Sequence, residues 1–126
     1  MSTAVLLSIK PKYANAILDG IKTFELRRAI FRNQNVTKVV IYASSPICRV
    51  IGEFMIGQVL ALDPRRLWRV TSKGSAVDRE YFDEYFRGRK TGYALTVQRP
   101  RRYQRSLCLR EDFGISHPPQ SFCYLS

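Results

Sequence analysis

The sequence predicts one α+β domain of about six strands and two helices, with a sheet that bends toward a barrel. Three observations carry this reading. Short strand-like runs recur along the chain, two stretches switch to helical spacing, and the long run Arg49 to Leu62 is interrupted by Gly52 and Gly57, where a sheet can bulge or bend. At 126 residues there is room for one core, and no repeat, low-complexity tract or linker divides residues 1–126 into two domains.

Taken in order, Val5, Leu6, Leu7 and Ile9 form a first strand, and Pro11 sits where a first helical turn tolerates proline. Tyr13, Ala14, Ile17 and Leu18 then recur at helical spacing up to Gly20, which suits a C-terminal cap. From Thr23 to Arg27 the pattern alternates, Phe24 and Leu26 on one face and Thr23, Glu25 and Arg27 on the other. The run Val39 to Ala43 is continuously apolar, as in a strand covered on both faces in the middle of a sheet. Val77 to Arg87 reads as the second helix, with Val77, Tyr81, Phe82, Tyr85 and Phe86 on one apolar face, acids in its first turn and Gly88 past its end. Tyr93, Leu95 and Val97 alternate again, Tyr103 to Leu109 is expected as a further strand, and Phe122 to Leu125 as the last.

The 21 Lys and Arg against 10 Asp and Glu leave a formal charge of +11, which steers polyanions toward the surface. RNA leads the expected partners and DNA is a second. There is no long apolar run and no basic amphipathic helix, so a membrane is not expected, and Met1 to Ile9 lacks the pattern of a signal peptide. The expectation is a cytoplasmic monomer. Cys48, Cys108 and Cys123 are far apart and set among apolar residues, as buried reduced thiols are, and with His117 the one histidine neither a metal site nor a cofactor is expected. The basic residues cluster around Trp68 (Arg65, Arg66, Arg69), after the second helix (Arg87, Arg89, Lys90) and around Pro100 (Arg99, Arg101, Arg102, Arg105). Such clusters supply phosphate affinity without sequence information.

The stretch most informative about chemistry is Ile17 to Arg28. Lys22 follows the glycine turn, and Glu25 and Arg27 share the polar face of the next strand, so three ionisable side chains converge beside a helix end. Lys22 and Arg27 can hold phosphate or a base oxygen; Glu25 can accept from a base amine or take a proton from water. The same spacing equally describes an ion-pair network ordering the mouth of a barrel. Candidate stacking rings at element ends are Tyr13, Tyr42, Trp68 and Tyr93, Trp68 first among them for its arginine neighbours, while the aromatics of the second helix are assigned to the core. Ser44 and Ser45, and Gln120 and Ser121 near the end, are loop residues able to face a cleft mouth.

The opening LLSIKPKYANAILDGIKTFELRR, with VVIYASSP, VIGEF and PPQSFCYL further on, resembles the ASCH (activating signal cointegrator homology) domain, a branch of the PUA-like superfamily with a pseudo-barrel fold. The signature G-x-K-x-x-E-x-R is present as Gly20, Lys22, Glu25 and Arg27. The resemblance implies a cleft between barrel and first helix that receives RNA or a modified nucleoside. Its expected lining is Lys10, Tyr13, Lys22, Glu25, Arg27, Arg28, Tyr42, Ser44 and Ser45, with Trp68 nearby. Some members of the family are ribonucleases, and a smaller relative hydrolyses N4-acetylcytidine with a lysine, a threonine and a glutamate. Lys22 matches that lysine, Glu25 stands where the threonine falls, and Glu80 or Glu84 lies where the glutamate would have to come from. The expected function is binding of RNA or a modified nucleoside. The alternatives are a hydrolase with Lys22 and Glu25 as its catalytic pair, and a transcription-related interaction module.

Overall fold

The structure is a computed structural model that describes residues 3–125. Its elements are β1 (Thr3–Ile9), α1 (Pro11–Leu18), β2 (Phe24–Arg27), β3 (Val36–Ala43), β4 (Arg49–Leu62), α2 (Pro64–Thr71), α3 (Arg79–Tyr85), β5 (Gly92–Leu107), α4 (Leu109–Phe113) and β6 (Phe122–Leu125). The expected six strands are present in one sheet of order β2-β5-β4-β3-β1-β6, antiparallel except for the β1/β3 pair. Among the described residues four helices stand where two were expected. The added ones are α2, capped by Asp63 accepting from the Arg66 amide at 3.1 Å with Pro64 in its first turn, and the short α4.

The apolar runs Val5–Leu7 of β1 and Val39–Ala43 of β3 are continuous because both of their faces are covered. Val5, Leu7, Ile9, Val39 and Ile41 point into the main core with Ala14 and Ile17 of α1 and Phe54 of β4. Their neighbours Leu6, Val40 and Tyr42 point the other way, into a second cluster closed by Leu109 of α4. A third cluster joins Leu67 of α2 and Phe82 and Phe86 of α3 to Leu26 and Ala94 of the sheet. None of the three thiols is buried as expected: Cys108 and Cys123 are half-buried, and Cys48 is exposed in the loop after β3, with a left-handed φ of 54°.

The stretch Tyr103 to Leu109 is not a separate strand. Residues 103–107 complete the 16-residue β5, which passes through Pro100, and Leu109 opens α4. The ladder tolerates the proline because Arg99 and Pro100 together oppose Phe54, between the pairs Met55–Gln98 and Glu53–Arg101. This bulge takes the proline out of the ladder, and Arg99 adopts a left-handed φ of 49° to make it.

Backbone pairing leaves β2 and β6 as the two edges of the sheet, so the barrel is not closed by a ladder. The edges still meet. Arg27, the last residue of β2, donates to the Ser121 carbonyl at 3.2 Å and hydroxyl at 2.7 Å, immediately before β6. The curl that brings them together depends on β4, whose register against β5 shifts at Gly52, at Glu53/Met55 and around Gly57. A β-carbon on Gly52 would lie 2.7 Å from both the Arg101 carbonyl oxygen and a methyl of Leu18 on α1. The Gly52→Ala variant is therefore expected to lose about 1–3 kcal/mol in urea unfolding, since backbone has to move to admit one methyl group. An unchanged midpoint would show that this approach is not tight.

Candidate functional site

The end of α1 inverts the usual distribution of side chains. Gly20 adopts a left-handed φ of 80°, and the amides of Ile21 and Lys22 both donate to the Ala16 carbonyl, at 2.9 and 3.0 Å. The resulting turn leaves Ile21 66% exposed and Lys22 only 2% exposed. Burying an ammonium while exposing an isoleucine costs stability twice, and such a cost points to function. Lys22 Nζ donates to the Ser75 carbonyl and lies 5.1 Å from the centroid of the Tyr13 ring. Burial lowers its pKa, and the Glu25 carboxylate opposes the shift.

Glu25 is buried too, and accepts from Arg27 at 3.2 Å on the same face of β2. Arg27 thereby spends one side of its guanidinium on Glu25 and the other on Ser121. These three groups form part of the lining of a cavity of about 380 Å³. Its walls are the end of β1 and start of α1 (Ser8, Lys10, Tyr13), the end of β2 with Arg28, Tyr81 and Tyr85 of α3 with Arg89 beyond, and Gln120 and Ser121 before β6. Lys10, Lys22, Arg27, Arg28 and Arg89 face it against the single acid Glu25, so the cavity is cationic.

The structure thus gathers Lys10, Tyr13, Lys22, Glu25, Arg27 and Arg28 around one cavity, with Gln120 and Ser121 at its mouth. Four expected lining residues lie elsewhere. Tyr42 is buried in the cluster beneath α4, and Ser44 and Ser45 occupy the turn after β3. Trp68 packs on Phe82 at 5.0 Å, with the Arg79 guanidinium 5.5 Å over its ring. Its helical neighbours explain the displacement: Leu67 and Thr71 are the buried residues of α2, and Trp68 follows them onto α3. Of the arginines near Pro100, Arg101 pairs with Glu53 and Arg102 with Asp19.

Tyr81, Tyr85 and Arg89 are the cavity residues that sequence reasoning placed otherwise. Phe82 of α3 and Phe86 at its C-cap are the fully buried pair, and the tyrosines, one step around the helix, line the cavity, with Tyr85 also packed against that cluster. The signal was the hydroxyl, which an aromatic residue facing a dry core would have to satisfy. Burial and the neighbouring Tyr13, Tyr85 and Glu25 push the Tyr81 phenol up to about 12.

A profile of the ASCH domain matches residues 7–87, which include the whole glycine turn, Lys22, β2 and all of α3. The chain belongs to the ASCH domain family. It is 30% identical over 122 residues to an ASCH domain-containing ribonuclease of Zymomonas mobilis, covering 95% of this chain and 82% of the relative. The crystal structure of ASCH from Zymomonas mobilis superposes with a TM-score of 0.90 at 27% identity, over 98% of this chain and 87% of that one. A ribosomal protein, large subunit protein uL22 of Ureaplasma parvum, is 26% identical over 121 residues. That match covers 96% of the ASCH chain but only 39% of the ribosomal protein's length. No helix among the described residues is long and apolar enough to cross a membrane.

The buried lysine has a measurable signature. An unfolded Lys22 titrates near 10.5 and the folded one lower, so between those values the unfolded chain carries more protons. Stability from this group therefore rises with pH across the window, and the full penalty applies below it. Tyr81 acts in the opposite sense, but only above its ordinary value of 10.0. Urea midpoints followed from about pH 7 to about pH 10 are expected to climb in the wild type and to climb less in Lys22→Met. Parallel profiles would remove Lys22 as the source.

Proposed function

We propose that this ASCH domain binds single-stranded RNA by seating a nucleotide in the cavity beside Lys22. The observation that carries the proposal is the company Lys22 keeps: a buried amine and carboxylate beside a part-buried guanidinium, at a cavity of about 380 Å³ lined by five cationic side chains and one acid. That balance suits a ligand with at least one phosphate. Arg28 presents a bidentate donor to phosphate oxygens, Arg27, held by Glu25 and Ser121, adds positive charge beside it, and Glu25 presents an acceptor to an exocyclic amine or a ribose hydroxyl. A duplex, about 20 Å across at the phosphates, does not enter a cavity of this size, whereas a splayed single strand does.

A second reading, cleavage of the bound strand, is favoured by the lowered pKa of Lys22 and by the ribonuclease relative. In this scheme the unprotonated fraction of Lys22, which burial enlarges, takes the proton of a ribose 2′-hydroxyl. The 2′-oxygen attacks the adjacent phosphorus, and the 5′-oxygen leaves with a proton from solvent. Arg27 and Arg28 offset the charge gathering on phosphorus. The products are a 2′,3′-cyclic phosphate and a 5′-hydroxyl. An acylated-nucleoside hydrolase finds no second carboxylate here: Glu80 is exposed, and Glu84 is exposed and paired with Arg87, so neither reaches the cavity.

Binding is tested with labelled single-stranded RNA at two salt concentrations. Lys22→Met is expected to weaken binding by about 10-fold or more, whereas Arg65→Ala, on exposed α2, should do little beyond reducing the salt slope by about one. Equal affinity of wild type and Lys22→Met would take the cavity out of the account. For cleavage, an RNA carrying one 2′-deoxy position should resist cutting there and be cut elsewhere with cyclic phosphate ends. Cutting at the deoxy position would exclude the 2′-hydroxyl mechanism.

A further inference from the structure

The tyrosines of α3 form an arrangement that the charge cluster does not require. Tyr81 and Tyr85 lie one turn apart with rings nearly parallel, 12° between planes and 5.9 Å between centroids. Tyr13 of α1 abuts Tyr81 at 5.6 Å, tilted by 57°. Cations flank this wall at both ends: Lys22 Nζ is 5.1 Å from the Tyr13 centroid, and the Arg28 guanidinium is 4.9 Å over Tyr85. The hydroxyl of Tyr85 donates to the Leu26 carbonyl at 3.3 Å, which pins α3 to β2 and fixes the ring. All of these side chains line the one cavity.

We propose that Tyr81 and Tyr85 form a stacking platform for one unpaired base, its flanking phosphates held toward Lys22 on one side and Arg28 on the other. The inference rests on the RNA reading and adds the chemistry of what is selected. Tyr81 and Tyr85 set nearly parallel rings in the cavity wall. They suit a base drawn out of its stack and laid flat on the paired rings. Stacking on a ring face tolerates every base, so the platform selects for an unpaired nucleotide rather than for a sequence. Arg28, which covers the Tyr85 ring in the free protein, swings aside as the base arrives and contacts its phosphate.

The test uses wild-type chain and short RNAs carrying one 2-aminopurine, whose fluorescence is quenched when it stacks. Quenching is expected for single-stranded RNA and for a bulged 2-aminopurine, and not for one paired within a duplex. Tyr81→Leu should abolish the quenching and weaken binding by about 10-fold, and Tyr81→Phe should retain both. If wild type binds single-stranded RNA and Lys22→Met weakens that binding, but the fluorescence is unchanged, the platform is overturned while the RNA reading stands. If wild type binds no RNA, both fail. The quenching measurement needs no variant, so misfolding of Tyr81→Leu leaves the proposal open to refutation.

Discussion

The bridge from Glu25 through Arg27 to Ser121 is the interaction on which the rest of this structure depends. The sheet has two edges, β2 and β6, and no backbone ladder joins them. Arg27 spans the gap, accepting nothing and donating on both sides, so one guanidinium does what strand pairing does in a closed barrel. A charged group in this position is costly unless its partners are fixed. Glu25 supplies the opposite charge from the same strand, and Ser121 supplies two oxygens from the other edge. Because the seam is held by side chains rather than by backbone, it has room beside it, and that room is the cavity.

Lys22 belongs to the same economy of charge. It is buried next to Glu25, and its ammonium finds the Ser75 carbonyl, in the loop between α2 and α3. The turn from α1 into β2 is thereby tied to the segment that leads into α3, also through the Thr23 amide on the Gly74 carbonyl at 2.7 Å. α3 in turn carries the tyrosines to the cavity, with Phe82 and Phe86 anchoring it behind. The site is thus assembled from distant pieces of chain, each held by an interaction involving the β2 segment. A ligand that neutralises the cationic excess has a direct route to stabilising the fold.

How far this was legible in the sequence differs element by element. β1, α1 and β3 were read correctly because their hydrophobic periodicity is complete and both faces of β1 and β3 are covered. Six of the cavity residues were legible because they are local: the turn after Gly20 and the alternation of β2 put Lys22, Glu25 and Arg27 together within a few positions. Of the residues that reach the cavity through tertiary packing, Gln120 and Ser121 were read only as able to face a cleft mouth, and the tyrosines of α3 were assigned to the core. Tyr81 and Tyr85 share helical spacing with Phe82 and Phe86, and only the packing of α3 decides which pair faces inward. Trp68 was misjudged because it was chosen for its arginine neighbours while the helix start at Asp63 and Pro64 went unread, and once α2 forms, its tryptophan lies against Phe82. The continuity of β5 through Pro100 was hidden by the rule that proline ends a strand, which the bulge at Arg99 circumvents.

The most direct test of the central claim, that one ionic bridge both closes the sheet and shapes the cavity, is amide hydrogen exchange along β6 and the residues before it. In Arg27→Met, residues 120–125 are predicted to exchange about 10-fold faster or more than in the wild type, while the β3 and β4 amides in the sheet interior are unaffected. Single-stranded RNA is predicted to slow the same segment in the wild type and not in the variant. Unchanged exchange of residues 120–125 in Arg27→Met would show that the edges are held together by something else, and the account of the cavity would fall with it.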